Sequence, residues 1–136
     1  AVLACSAETS RRAGDAQLNL SAYIGVPVTC GPAGRILEDG EKFTAAWLPW
    51  RAVEVPGHEA GEMVDILGDG EAIAFTGDTV FSGSIGRSDF PSGDGPLLIA
   101  GVKRLLESLP PGAVLFPGHG PDTQAGQELA YNPFLR

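Results

Sequence analysis

Arg51-Ala-Val-Glu-Val55-Pro-Gly-His58 and Ala113-Val-Leu-Phe116-Pro-Gly-His119 are built alike: a run of strand character, a Pro-Gly break, then a histidine. The chain has only two histidines, and both occur in this setting. Between them, Phe75-Thr-Gly-Asp78-Thr-Val80 repeats the arrangement with a carboxylate. A glycine after a strand frees the backbone, so the next side chain projects from a rigid sheet edge into a loop crevice. A single histidine so placed is ordinarily a surface or loop-capping residue, and a single aspartate an ordinary turn former. Together His58, Asp78 and His119 offer two imidazoles and one carboxylate. That donor set suits Zn²⁺, Fe²⁺ or Mn²⁺ and disfavours Ca²⁺ or Mg²⁺.

Outward from these motifs the pattern is one of short elements. Ala1 to Cys5 reads as a buried strand and Ala7 to Ala13 as a short helix capped by Ser6. Gly34 to Leu37 and Glu41 to Phe43 flank Glu38-Asp39-Gly40, where Asp-Gly signals a hairpin. Arg51 to Val55 alternates polar and apolar residues, as a half-buried strand does. Met63 to Leu67 and Glu71 to Phe75, joined by Gly68-Asp69-Gly70, predict a second hairpin. Pro96 opens the clearest helix, with Leu98, Val102, Leu105, Leu106 and Leu109 at helical spacing, and Pro110-Pro111-Gly112 stops it. Ala113 to Phe116 reads as a buried strand. Asp122 is placed to cap a last helix over Thr123 to Tyr131, ended by Asn132-Pro133.

The whole is 136 residues, enough for one domain with its own core. Nine Lys and Arg stand against 17 Asp and Glu, a net charge of −8, so the long-range field repels phosphate backbones and anionic lipid heads. Nucleic-acid and membrane-surface partners are therefore not expected. No apolar run approaches the roughly 18 residues that span a bilayer. Cys5 and Cys30 make no disulfide framework, which points to a reducing, cytoplasmic setting. Both sit in apolar, strand-like stretches and are expected to be inert buried thiols. Phosphate-cradling and dinucleotide glycine motifs are missing, as is a Gly-x-Ser-x-Gly elbow.

Val55-Pro-Gly-His58-Glu-Ala-Gly61, Phe75-Thr-Gly-Asp78-Thr-Val-Phe81 with Gly83-Ser-Ile-Gly-Arg87-Ser-Asp89, and Phe116-Pro-Gly-His119-Gly-Pro-Asp-Thr123 resemble, in order and spacing, the second half of metallo-β-lactamase-fold hydrolases. The nearest resemblance is to their glyoxalase II-like (hydroxyacylglutathione hydrolase-like) branch, whose members end near a segment like Asn132-Pro-Phe-Leu-Arg136. The resemblance implies an α/β (α+β) fold, an αββα sandwich with mixed, largely antiparallel sheets and flanking helices. It implies His58 as ligand of one metal, His119 as ligand of the second, and Asp78 as the bridging carboxylate that orients a metal-bound hydroxide. The implied cofactor is a pair of zinc ions, with iron or manganese as alternatives. The implied reaction is hydrolysis of S-D-lactoylglutathione or a related acyl thioester. Arg87 is a candidate for an anionic substrate tail, with pairing to Asp89 or Asp94 as the plainer reading.

Members of this family also carry His-x-His-x-Asp-His in their first half, and no such motif occurs in these 136 residues. The expectation is a single truncated domain over 1–136, the C-terminal half of an enzyme, inactive alone and holding metal weakly. Half a sandwich would also expose an apolar face and self-associate through it. Two other readings share the pattern: a mono-iron sulfur dioxygenase on the same scaffold, and a non-catalytic half-fold that pairs with another chain.

Overall fold

The computed structural model describes residues 2–68 and 72–136. In chain order it forms β1 (Ala4–Cys5), α1 (Ala7–Ala13), a 3-10 turn (Ser21–Ile24), β2 (Arg35–Ile36), β3 (Lys42–Ala45), β4 (Leu48–Glu54), β5 (Met63–Leu67) and β6 (Ile73–Gly77). There follow β7 (Val80–Phe81), β8 (Ser84–Ile85), α2 (Gly95–Ser108), β9 (Val114–Pro117), β10 (Thr123–Gln124), α3 (Ala125–Tyr131) and a closing 3-10 turn (Pro133–Leu135).

Six strands make the main sheet in the order β10-β9-β6-β5-β4-β3. Only β6 and β9 pair in parallel, and every other neighbouring pair is antiparallel, so the sheet is mixed as expected. One face is sealed by α2, whose Leu98, Val102, Leu105 and Leu106 are buried against Val53, Val55, Val64, Ile66 and Leu115. Each such leucine contributes about 1.5–3 kcal/mol of hydrophobic burial, which makes α2 the principal fastener of the sheet. Asp94 caps the helix by accepting from Leu97 N at 2.9 Å, and Pro96 occupies the first turn. The opposite face carries a row of rings: Phe43 and Trp50 at 6.5 Å, Trp50 and Phe75 at 5.9 Å, Phe75 and Phe116 at 5.8 Å. Phe75 and Phe116 remain 45% and 41% exposed there.

Helix α1 has the expected bounds, and Ser6 Oγ accepts from Thr9 N at 3.0 Å. The second expected hairpin is present as the β5–β6 pair, in register Ile66↔Ala74. Its second strand starts at Ile73, and Asp69, Gly70 and Glu71, where its turn was expected, lie outside the described residues, as does Ala1.

Several expectations are corrected. The strand expected to be buried over Ala1–Cys5 is only Ala4–Cys5, with Val2, Leu3 and Ala4 exposed, and β9 is buried at Leu115 alone. The Glu38-Asp39-Gly40 turn forms, with Glu41 N donating to Glu38 O at 3.1 Å, but its two arms do not pair with each other. Strand β2 pairs in parallel with β1, and β3 pairs with β4. The β3–β4 link is made by Ala46 and Trp47, both with positive φ (51° and 63°). Neither residue advertises that conformation, so the hairpin had no turn signal to read. The last helix begins at Ala125, because Thr123 and Gln124 form β10 against β9, a place a β-branched threonine favours. Asp122 therefore does not cap it. Cys30 is exposed and Cys5 only half-buried, both as free thiols, since Pro27, Gly31 and Pro32 keep the Cys30 segment out of any strand.

Candidate metal centre

The three motif residues meet because the strands that carry them run the same way. Two successive antiparallel pairings, β4–β5 and β5–β6, leave β4 pointing along β6, and β9 is parallel to β6. The loops after β4, β6 and β9 thus open at one end of the sheet, the usual place for a site in sheets whose strands share a direction.

At that end the Asp78 carboxylate stands between the two imidazoles, one oxygen to each. Its Oδ2 lies 3.6 Å from His58 Nε2 and its Oδ1 lies 3.5 Å from His119 Nε2. Both separations are long for a charge-assisted hydrogen bond, which runs about 2.7–2.9 Å. They match instead the ~3.4 Å between two donors on a tetrahedral cation with bonds near 2.1 Å. Exposure falls from His119 (78%) through Asp78 (34%) to His58 (13%). Among the described residues no three His, Cys, Asp or Glu side chains close around a single point. The three side chains form two pairs, His58 with Asp78 and His119 with Asp78, that share one carboxylate.

The geometry is held from several sides. His58 Nδ1 is 2.8 Å from the Arg87 carbonyl oxygen, and a carbonyl only accepts, so Nδ1 carries a proton and Nε2 is the ring position left to face Asp78. The Phe90 ring meets His58 edge-on at 5.6 Å, and Phe81 lies 6.2 Å from the His119 ring. Gly86 is needed for clearance: a Cβ there would come within 1.9 Å of Asp78 O and 3.1 Å of His58 Cβ. Glu128, fully buried on α3, accepts from Gly83 N, Thr123 Oγ1 and Asn132 Nδ2, and so ties the β7–β8 turn to the last helix.

Arg87 is placed away from the donors. It makes a two-pronged pair with Asp89, 2.6 Å on each arm, and lies over Phe90 at 4.6 Å. Its guanidinium holds the Asp89 carboxyl down to about 2. A cavity of about 450 Å³ beside His58 and Asp78 is lined in part by Thr9, Arg12, Asn19 and Glu62, and not by Arg87.

Glu62 is the site residue that the sequence reading missed. Its Oε1 accepts from Asp78 N at 3.1 Å, and its Oε2 is buried with no hydrogen bond. Burial pushes its carboxyl up to about 7, against the opposing pull of nearby His58 and of the Asp78 N–H. A carboxylate directly after Gly61, at the head of an apolar strand, is the only sequence signal it gives.

The chain matches the metallo-beta-lactamase superfamily over residues 2–119 and belongs to it. It is 37% identical over 98 residues to hydroxyacylglutathione hydrolase GloC of Haemophilus influenzae, covering 72% of this chain and 46% of GloC. The BLEG-1 B3 metallo-beta-lactamase structure aligns with a TM-score of 0.89 and 33% identity, over 98% of this chain and 65% of that one. TTHA1623, solved in a di-iron-bound form, aligns at 0.76 and 34%, over 97% of this chain and 64% of that one. The chain spans about half the length of the curated relatives it matches. Among the described residues no helix is long and apolar enough to cross a membrane.

Proposed function

We propose that this chain supplies part of the metal centre of a metal-dependent hydrolase, with His58 and Asp78 as donors to one cation and Asp78 and His119 as donors to another. The observation that carries the reading is the shared carboxylate, each oxygen facing a different Nε2 at donor-to-donor distance. The residues present fit a borderline cation such as zinc or iron: two imidazoles with free Nε2 positions and one carboxylate. Bound divalent cations supply Lewis-acid polarisation of a carbonyl and acidify water. The protein's own part is to hold Asp78 between the rings, to fix the His58 tautomer through the Arg87 carbonyl, and to keep an open cavity beside them.

The substrate class we propose is an acyl thioester, S-D-lactoylglutathione or a relative, supported by the GloC likeness and by the resemblance of the motifs around His58, Asp78 and His119. Arg87 stays available to an anionic substrate only by giving up Asp89, so we assign it first to the rigidity of its own loop. The two free thiols agree with a reducing, cytoplasmic setting. Two donors per half-site fall short of the usual four ligands of zinc. The isolated 136-residue chain is accordingly expected to bind metal weakly and to turn over no substrate.

The test is hydrolysis of S-D-lactoylglutathione by the metal-loaded product of the complete gene, beside its Asp78→Ala variant and this chain alone. Hydrolysis lost in the variant and absent from the chain supports the reading. An inactive gene product on any acyl thioester, or robust turnover by the verified 136-residue chain, contradicts it.

A further inference from the structure

Glu62 stands where two site-bearing loops meet. Its own backbone closes the His58 loop, because Glu62 O accepts from Val55 N at 2.9 Å and Gly61 before it has a φ of +79°. Its side chain crosses to the other strand end, where Oε1 accepts from the Asp78 N–H at 3.1 Å. One residue thereby connects the segment that carries His58 to the turn that carries Asp78. Thr9 Oγ1 and Ser6 Oγ both donate to Gly61 O, at 2.9 and 2.7 Å, so the base of this link is itself anchored to α1.

A carboxylate is a costly choice for a mere brace. Its second oxygen, Oε2, is buried with no partner at full hydrogen-bond distance, as is the Thr79 hydroxyl that acts on this carboxyl, and a carboxylate so thinly served is poorly compensated for lost hydration. The groups facing it across the cavity are His58 and Asp78, with Arg12 engaged by Glu59 at 2.9 Å. Of these groups His58 pulls the Glu62 carboxyl down and Asp78 pushes it up, and burial outweighs both.

We propose that Glu62 is a positioning residue for the metal centre: by fixing the Asp78 amide it holds the carboxylate in line with both His58 and His119, and so sets the affinity of the site for metal. This rests on the assignment of His58, Asp78 and His119 as metal donors. The action runs through the Asp78 backbone, and any acceptor at Oε1 can perform it. A glutamine therefore serves and an alanine does not.

The experiment uses the chain itself with Glu62→Ala and Glu62→Gln, reading amide hydrogen exchange in metal-free protein and then the response to Zn²⁺ alone. Glu62→Ala is expected to speed exchange of the Asp78 amide about tenfold while core amides such as Val64 and Leu105 keep their rates. Zn²⁺ affinity should fall about 10- to 100-fold in Glu62→Ala. Glu62→Gln should retain Asp78 protection and lose less than about threefold in affinity, the rescue that distinguishes an acceptor from a charge. Unchanged Asp78 exchange in Glu62→Ala overturns the proposal, as does faster exchange with undiminished Zn²⁺ affinity. Equal losses in both variants overturn it as well, since the negative charge would then be what matters. A wild-type chain whose histidines ignore Zn²⁺ overturns the metal assignment, and with it the role proposed for Glu62, even where Asp78 exchange confirms the hydrogen bond.

Discussion

His58 Nδ1 lies 2.8 Å from the carbonyl oxygen of Arg87, a residue 29 positions further along the chain. The contact orients the histidine, since it places a proton on Nδ1 and turns Nε2 towards Asp78. It also explains why the Gly83–Asp89 segment matters to a site to which it lends no side-chain donor: it delivers one main-chain oxygen.

His119 and His58 should separate binding from stability. His119 is 78% exposed, so His119→Ala is expected to change folding free energy by no more than about 0.5 kcal/mol. The same substitution should weaken Zn²⁺ binding at least about tenfold, because a half-site then keeps one donor. Urea denaturation and Zn²⁺ titration on the same preparation check both. Large destabilisation with unaltered binding would mean that His119 is a structural residue.

Gly86→Ala tests the close approach beneath the site. A Cβ there would sit within 1.9 Å of the Asp78 carbonyl oxygen, a backbone atom that cannot step aside without moving the turn. We expect a loss of about 2–4 kcal/mol in urea unfolding together with loss of the His58 response to Zn²⁺. An unchanged midpoint would show that the β8 end is looser than this geometry requires.

Glu128 is a second buried carboxylate, but one whose oxygens are served by three donors. Replacing it with alanine strands Gly83 N and Thr123 Oγ1 and leaves Asn132 Nδ2 with Ser84 O as its acceptor, with an expected cost of about 2–4 kcal/mol, read from the urea midpoint. Glu128→Gln keeps one acceptor and should cost less. A loss below about 0.5 kcal/mol in Glu128→Ala would contradict the role of this network.

Asp65 gives a pH signature. Burial raises its carboxyl above the ordinary 3.8, and its Oδ1 has no hydrogen-bond partner. The native state therefore holds this proton more tightly than the unfolded chain, so stability from this group is greatest in acid and declines as pH rises through the raised native value. Asp65→Asn should melt a few degrees higher than the parent at pH 7, with the gap closing below about pH 3, as followed by circular dichroism. A gap that is constant with pH would remove ionisation as the cause.

The ring row Phe43, Trp50, Phe75 and Phe116 lies on the sheet face that α2 does not cover. Copies of this chain are expected to associate through it, with concentration-dependent mass in light scattering that Phe75→Ser reduces. A monomer at every accessible concentration would contradict the expectation.

How much of this was legible in the sequence depended on how local the cause was. Ser6 as a cap, the leucine spacing of α2 and the bounds of β5 follow from neighbours within a turn or a strand, and the structure has them as expected. His58, Asp78 and His119 could be picked out because each sits just past a strand and a glycine, and the shared direction of β4, β6 and β9 did the rest. The failures are non-local. Gly34 to Leu37 has the look of a hairpin arm until β1 competes for it. Thr123 reads as the start of a helix until β9 offers a ladder. Glu62 becomes a site residue only through a bond to a turn 16 positions away, which no spacing rule marks.

The central claim is that one carboxylate serves two imidazoles, each through Nε2. Long-range ¹H–¹⁵N correlation of the histidine side chains during Zn²⁺ titration of this chain, into the millimolar range if binding is weak, tests it directly. The account predicts that Nε2 of both His58 and His119 shifts while Nδ1 of His58 keeps its proton, and that Asp78→Ala abolishes both responses. Rings that do not respond, a response through His58 Nδ1, or shifts that survive loss of Asp78 would contradict it.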